Sequence, residues 1–263
     1  MREEIIARLT EIEREESVAV IYACESGSRA WGFPSENSDY DVRFLYVRAP
    51  EWYFSIDVED RRDVIERPID DMLDISGWDI RKGLRLMRKS NPPLLEWLDS
   101  PIVYSVDAPL LALLAELIPT YYDPTSCAYH YLSMARGNAQ NYLRGETILL
   151  KKYLYVLRPL LAVRWIEAGY GAVPMEFGRL LDRCLSDATV REAIDRLVER
   201  KRGGLESVRE PRIEAISRFI EEELQRHEGK PFRFDRRMNG AEEMNRVFRA
   251  IVGAVADRRS RVR

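Results

Sequence analysis

The chain is poor in the residues that build disulfide frameworks and soft-ligand metal sites. Its three cysteines, Cys24, Cys127 and Cys184, lie far apart, their number is odd, and no Cys-x-x-Cys pair occurs. That argues against a disulfide scaffold and a thiolate zinc site, and leaves reduced, partly buried thiols. Two histidines, His130 and His227, are too few for a histidine-based metal cluster. No run approaches the roughly 18 apolar residues that begin a membrane span. The N-terminus MREEIIARLTEIEREE is charged throughout and has no apolar signal region, so a cytoplasmic protein without membrane contact is expected. Internal repeats, low-complexity tracts and Gly/Ser-rich linkers are absent. Excess charge is missing too: 41 basic and 44 acidic residues give −3, so any surface for nucleic acid must be local.

What is present is concentrated between residues 18 and 48, VAVIYACESGSRAWGFPSENSDYDVRFLYVR. An apolar, β-branched run from Val18 to Ala23 stops at Glu25-Ser26-Gly27-Ser28. A polar loop follows, and Asp39-Tyr40-Asp41 opens a second apolar run from Val42 to Val47. The pattern predicts strand, glycine turn with a short helix, loop, strand. Residues i and i+2 of a strand share a face, so Asp39 and Asp41 project together. Two neighbouring carboxylates repel, and the pair should hold a proton or bind a cation. A hard divalent ion suits such oxygens, Mg²⁺ in particular when phosphates supply further ligands. At Gly27-Ser28, backbone N–H groups can face a phosphate if a helix starts at Ser28. Taken singly, Gly-Ser is an ordinary turn and Asp-x-Asp an ordinary solvated strand end.

In combination, Gly-Ser closing one strand and Asp-x-Asp opening the next, with ten residues between Ser28 and Asp39, resemble the signature of the DNA polymerase β-like nucleotidyltransferase superfamily. The strings GSRAWG and SDYDVR, with DISGWDIRKGLRLMRKSNPPLLEWL (74–98) and LKKYLYVLRPLLAVRWI (150–166), are similar to a family of predicted bacterial nucleotidyltransferases, some of them associated with RNA ligases and RNA repair. The resemblance implies an α+β chain: a small mixed β-sheet nucleotidyltransferase domain with flanking helices over residues 1–110, then an all-helical domain over 111–263. It implies two divalent ions, Mg²⁺ or Mn²⁺, and an NTP substrate. It also implies a third carboxylate on a strand beside the one bearing Asp-x-Asp. Asp74, set between Leu73 and Ile75 and just before Gly77-Trp78-Asp79, fits that place; Asp63, Asp70, Asp71 and Asp79 compete, Asp79 reading equally well as a helix N-terminal residue.

Along the rest of the chain, Ile5, Ile6, Leu9 and Ile12 mark one face of a first helix over 2–16. Trp52 to Ile56 read as a short strand or an apolar loop cover. Two short strands flank Pro68, and an amphipathic helix over 79–89 turns Ile80, Leu84 and Met87 inward. From Ala108 onward the pattern is helical: 108–117, 125–144, 149–168, 176–186, 188–202, 211–226 and 241–255, with loops at 201–204 and 227–240 and a frayed basic terminus. The helix from Leu149 carries Lys151, Tyr155 and Arg158 on one face, above a core stripe of Tyr153, Val156, Leu157 and Leu160. By spacing alone this is a solvated basic edge. The resemblance makes it the wall of a nucleotide cleft, with cations on the triphosphate and a tyrosine on the base or sugar.

The implied reaction is attack of an acceptor hydroxyl on the α-phosphate of an NTP, with pyrophosphate leaving. Asp39 and Asp41 hold one ion, the three aspartates a second. Gly27 and Ser28 hold the β- and γ-phosphates, and Arg29 faces the leaving pyrophosphate or ties its loop to a carboxylate such as Glu36. The acceptor is an RNA end, or, in the alternative, a protein or small-molecule hydroxyl. A catalytically weak nucleotide- or RNA-binding module is the reading from a different class. Motif residues do not encode the acceptor or the oligomeric state.

Overall fold

The computed structural model describes residues 1–69, 72–205, 208–234 and 240–262. Asp70 and Asp71, two of the competing third carboxylates, lie outside them. The described chain runs α1 (Arg2–Glu16), β1 (Ala19–Ser26), α2 (Gly27–Ala30), β2 (Tyr40–Val47), α3 (Pro50–Tyr53), β3 (Val64–Glu66), β4 (Leu73–Asp79), α4 (Ile80–Arg88), α5 (Pro92–Leu98) and β5 (Val103–Val106). It continues through α6 (Ala108–Ala115), α7 (Ile118–Tyr121), α8 (Pro124–Tyr142), β6 (Thr147–Leu149) and α9 (Leu150–Glu167). The last elements are α10 (Phe177–Cys184), α11 (Ala188–Arg202), β7 (Arg209–Pro211), α12 (Glu214–Arg226) and α13 (Glu242–Val262). The fold class is the expected α+β, with a small mixed sheet and a helical part.

The chain forms two compact units, Met1–Gly27 with Asp39–Tyr122 and Arg237–Arg263, and Ser28–Ser38 with Asp123–Arg236. The sequence suggested one division, at 110/111. Three segments are grouped differently: the loop after Gly27 goes with the helices, and residues 111–122 and the final helix go with the sheet.

In the sheet unit five strands lie in the order β3-β4-β2-β1-β5. β1 pairs antiparallel with β2 and β5, β4 antiparallel with β3, and β2 parallel with β4. Strand alternation sorts the faces: Val42, Phe44 and Tyr46 of β2 and Leu73 and Ile75 of β4 join Ile5, Leu9 and Ile12 of α1 in one core. Ile6, expected on that inner face, is 41% exposed, because the buried stripe of α1 runs through Ile5, Leu9 and Ile12. β4 runs on through Gly77 to Asp79, further than predicted; a Cβ on Gly77 would lie 2.2 Å from the Phe44 ring, so only glycine lets the strand continue there. Asp79 then caps α4, accepting the Arg81 N–H at 2.8 Å.

The segment after β2 forms the short helix α3, where the sequence suggested strand or loop; Pro50 stands at its start, where a missing N–H is harmless. The predicted helix over 108–117 stops at Ala115, and Pro119 opens α7. The basic terminus, expected to be frayed, is helical over its described residues: α13 continues to Val262, Arg258 pairs with Asp107, and Arg259 donates to the Ser17 carbonyl at 3.1 Å.

The helical unit is built around α9, whose Tyr153, Val156, Leu157 and Leu160 are fully buried. Pro159 sits inside it and has no N–H for the Tyr155 carbonyl. The side-chain amide of Asn138, on α8, donates to that carbonyl at 2.8 Å instead. A two-stranded antiparallel ribbon, β6 with β7, is an addition the helical periodicity did not show. Cys24 and Cys127 are buried free thiols and Cys184 is half-buried. No helix among the described residues is long and apolar enough to cross a membrane.

Candidate active site

The sheet unit gathers its acidic residues through register. In the parallel pair, Asp41 stands directly opposite Asp74. Both point to the face opposite Val42, Phe44, Leu73 and Ile75, since burial alternates along β4. Asp74 therefore takes the orientation inferred from its apolar neighbours. Asp39, one residue before β2, is exposed. The described competitors are engaged elsewhere: Asp63 pairs with Lys82 at 2.9 Å, and Asp79 is buried under the Tyr53 hydroxyl, which donates to it at 2.9 Å. Burial pushes the Asp79 carboxyl up to about 6.

Between Asp41 and Asp74 stands a residue that motif reading passed over. Arg43 is two positions beyond Asp41, so strand alternation brings it to the same face. Its Nη2 donates to Asp74 Oδ2 at 2.8 Å and to Asp41 Oδ1 at 3.3 Å. Its Nη1 donates to the carbonyls of Val42 at 3.0 Å and Asp74 at 3.1 Å. Four donations fix the guanidinium plane, and the positive charge relieves the repulsion expected of paired carboxylates.

Glu25 also went unremarked in the sequence, where nothing but its place at the end of an apolar run marks it. It is fully buried, accepts the Asp41 N–H at 2.7 Å, and receives the Tyr104 hydroxyl on its other oxygen. Ser100 donates to its carbonyl at 2.6 Å. The backbone of Asp41 is thereby tied to β1 and to the strand beyond it.

Gly27 closes the turn with φ +61°, a conformation that disfavours side chains. A Cβ there would lie 2.1 Å from Asp41 Oδ2. The close approach expected at this glycine is thus, first of all, an approach to the Asp41 carboxylate. The helix that follows, α2, starts at Gly27 and spans four residues. Ser28 is half-buried and its carbonyl accepts the Phe33 N–H at 3.1 Å. Arg29 donates to the Ser38 carbonyl at 2.7 Å, within its own loop.

In the helical unit, the residues expected to clamp a nucleotide divide. Arg158 is 3% exposed, donates to the Pro174 and Met175 carbonyls at 3.3 and 3.1 Å, and stacks over the Trp31 ring at 4.8 Å. The half-buried Tyr155 meets the same indole edge-on, at 6.1 Å. Trp31, Phe33 against Phe177, and the buried Lys201 over Phe33 at 5.6 Å hold the 28–38 loop to the helices. Lys201, read both as part of a helix over 188–202 and as the start of a loop over 201–204, is the penultimate residue of α11. Lys151 is half-buried, and its side chain has no hydrogen bond or ion pair with a described residue.

The donor set suits a hard cation: carboxylate oxygens and no sulfur or imidazole. Among the described residues no group of three or more His, Cys, Asp or Glu is arranged to hold a metal ion. Mg²⁺ needs fewer, since one or two carboxylates serve when phosphates and water complete the shell. Gly27, without a Cβ, leaves room for the Asp41 carboxylate.

Comparison with known proteins adds identity to this geometry. The family model described as "RlaP: RNA repair pathway DNA polymerase beta family" matches residues 1–250. The "Uncharacterized protein YcgL" of Bacillus subtilis (strain 168) is 51% identical over 226 residues, 86% of this chain and 86% of that one. A solved nucleotidyltransferase-like protein from Exiguobacterium sibiricum 255-15 is 12% identical, covering 94% of this chain and 87% of that chain, with a TM-score of 0.31, at which the likeness carries no argument.

Proposed function

This chain belongs to the RNA repair pathway DNA polymerase beta family, and from that premise we propose that it transfers a nucleoside monophosphate from an NTP to an acceptor hydroxyl, the acceptor being an RNA end. The observation that carries the proposal is the register of β2 on β4, which sets Asp41 beside Asp74, with Gly27 closed onto the Asp41 carboxylate. In the reaction the acceptor oxygen forms a bond to the α-phosphorus, the bond from that phosphorus to the bridging oxygen breaks, pyrophosphate leaves, and the hydroxyl proton passes to solvent.

Asp39 and Asp41 are the proposed ligands of a divalent ion, Mg²⁺ or Mn²⁺. When bound, that ion supplies charge neutralisation along the triphosphate. Glu25 and Gly27 act on Asp41 from two sides, one holding its N–H and the other leaving room for its carboxylate. Asp74 holds Arg43 by accepting two of its hydrogen bonds, one on the carbonyl and one on the carboxylate. Ser28 is the proposed phosphate contact of the turn. In the helical unit, Lys151 is the proposed cation for nucleotide phosphates, while Tyr155 and Arg158 serve by fixing Trp31 and its loop.

The test is label transfer. The protein is incubated with each α-³²P-labelled NTP and Mg²⁺ or Mn²⁺, in separate reactions with RNA bearing a free 3′ hydroxyl, with protein acceptors and with the chain alone. Label in RNA supports the proposal. Label in protein alone would move the acceptor to a side-chain hydroxyl, and label in no acceptor with any NTP would leave a binding module.

A further inference from the structure

The two-ion arrangement implied for this superfamily meets an obstacle in the carboxylate cluster. A second ion shared by the aspartates has to approach Asp74, and Asp74 Oδ2 already accepts a 2.8 Å bond from Arg43. The arginine is not a surface side chain that swings aside without loss. Its side chain is 19% exposed, and its other terminal nitrogen is held by two backbone carbonyls of the paired strands. Those carbonyls belong to the β2–β4 ladder and do not move independently of it. A guanidinium remains charged under all ordinary conditions, so it cannot vacate the role of cation by losing a proton.

Resting on the metal–nucleotide reading of Asp39 and Asp41, we propose that Arg43 is a resident cation occupying the second position of the cluster. The site then takes one divalent ion, at Asp39 and Asp41, and Asp74 acts as the positioning residue of Arg43, not as a metal ligand. Like charges at this separation exclude one another in a partly desolvated site, so guanidinium and second ion are alternatives. Arg43 also touches the other oxygen of Asp41, at 3.3 Å, so its charge weakens the affinity of the ion it leaves in place. A fixed, planar cation with its donors directed at the cluster stabilises developing negative charge without reorganising.

The experiment counts ions. Mn²⁺ bound per chain is measured by the loss of its free electron paramagnetic resonance signal, with the whole chain saturated by an NTP analogue that cannot be cleaved at the α-phosphate. Wild type should bind one Mn²⁺. Arg43→Met should bind two, with the first held more tightly, and Arg43→Lys should return the count to one. Asp74→Asn supplies a check should Arg43→Met fail to fold: it should leave the single Mn²⁺ in place, because Asp74 is not its ligand. Two Mn²⁺ on wild type, falling to one in Asp74→Asn, would overturn the proposal while leaving the metal–nucleotide reading intact. A count of one in folded Arg43→Met would also overturn it. No Mn²⁺ on wild type would overturn both.

Discussion

Arg43 and Arg158 are the same residue type in two regions, and each donates to two backbone carbonyls. Their other partners separate them. In the sheet unit Arg43 also meets two carboxylates on a face that solvent reaches, with side chains of Asp41 and Asp74 30% and 31% exposed. In the helical unit Arg158 is buried and stacks over an indole. The first arrangement is mutually charged and open to a ligand; the second joins a loop to a helix. Spacing along a helix shows which residues share a face and leaves open which neighbouring segment covers it; here Trp31 of the 28–38 loop lies against Tyr155 and Arg158.

The comparison is broken most severely at the carboxylates. Asp41→Asn should lower nucleotidyl transfer by on the order of 100-fold or more while the protein still folds, as read by label transfer and circular dichroism. Near-wild-type turnover would remove Asp41 from the chemistry.

Arg158→Ala should act on folding. It leaves the Pro174 and Met175 carbonyls without their donor and empties the space beside Trp31, a loss of about 3–5 kcal/mol in urea unfolding. A change under about 1 kcal/mol would show that the arginine is not a structural tie.

A similar contrast lies within β4, where Asp74 faces the open cluster and Asp79 is buried at the cap of α4. Burial raises the Asp79 carboxyl from 3.8 to about 6. An acid raised on folding favours the folded state when protonated. Its contribution is complete below about pH 4, is lost as pH rises through about 6, and amounts to roughly 3 kcal/mol at most. Asp79→Asn, which keeps a good capping residue, should flatten the stability profile between those pH values. An unchanged slope would mean that Asp79 is not the group responsible.

Gly27→Ala should destabilise by about 1–2 kcal/mol through its positive φ alone, with further loss where the added Cβ displaces the Asp41 carboxylate. Thermal melting reads the first effect and Mn²⁺ affinity the second. A variant with wild-type values for both would contradict the close approach. The smallest stability effect is expected at Lys151: its replacement by alanine should stay within about ±0.5 kcal/mol, yet raise KM for NTP in steady-state transfer. A wild-type KM would make Lys151 an ordinary surface residue.

Much of this was open to inspection in the linear chain. The period of two along a strand is a local property, so the orientation of Asp74 away from Leu73 and Ile75 followed from neighbours alone. The turn at Gly27 was legible for the same reason, since a glycine between an apolar run and a polar loop marks a backbone reversal wherever the rest of the chain goes. Helix caps and proline stops are equally local. Asp79 was readable as a helix N-terminal residue, although the length of β4 before it was not, because that depends on Phe44 across the sheet.

The tertiary structure decided everything that depends on residues distant in sequence. The parallel register of β2 on β4 brings Asp74, 31 positions on, within reach of Arg43, and no local pattern contains that register. The same holds for the 28–38 loop, which Trp31 and Phe33 fasten to helices more than a hundred residues later, and for α13, grouped with the sheet at the opposite end of the chain. Residue types and spacings specify what a segment can do within one turn or one pleat. Which distant group reaches it is set by the contacts that bury the core.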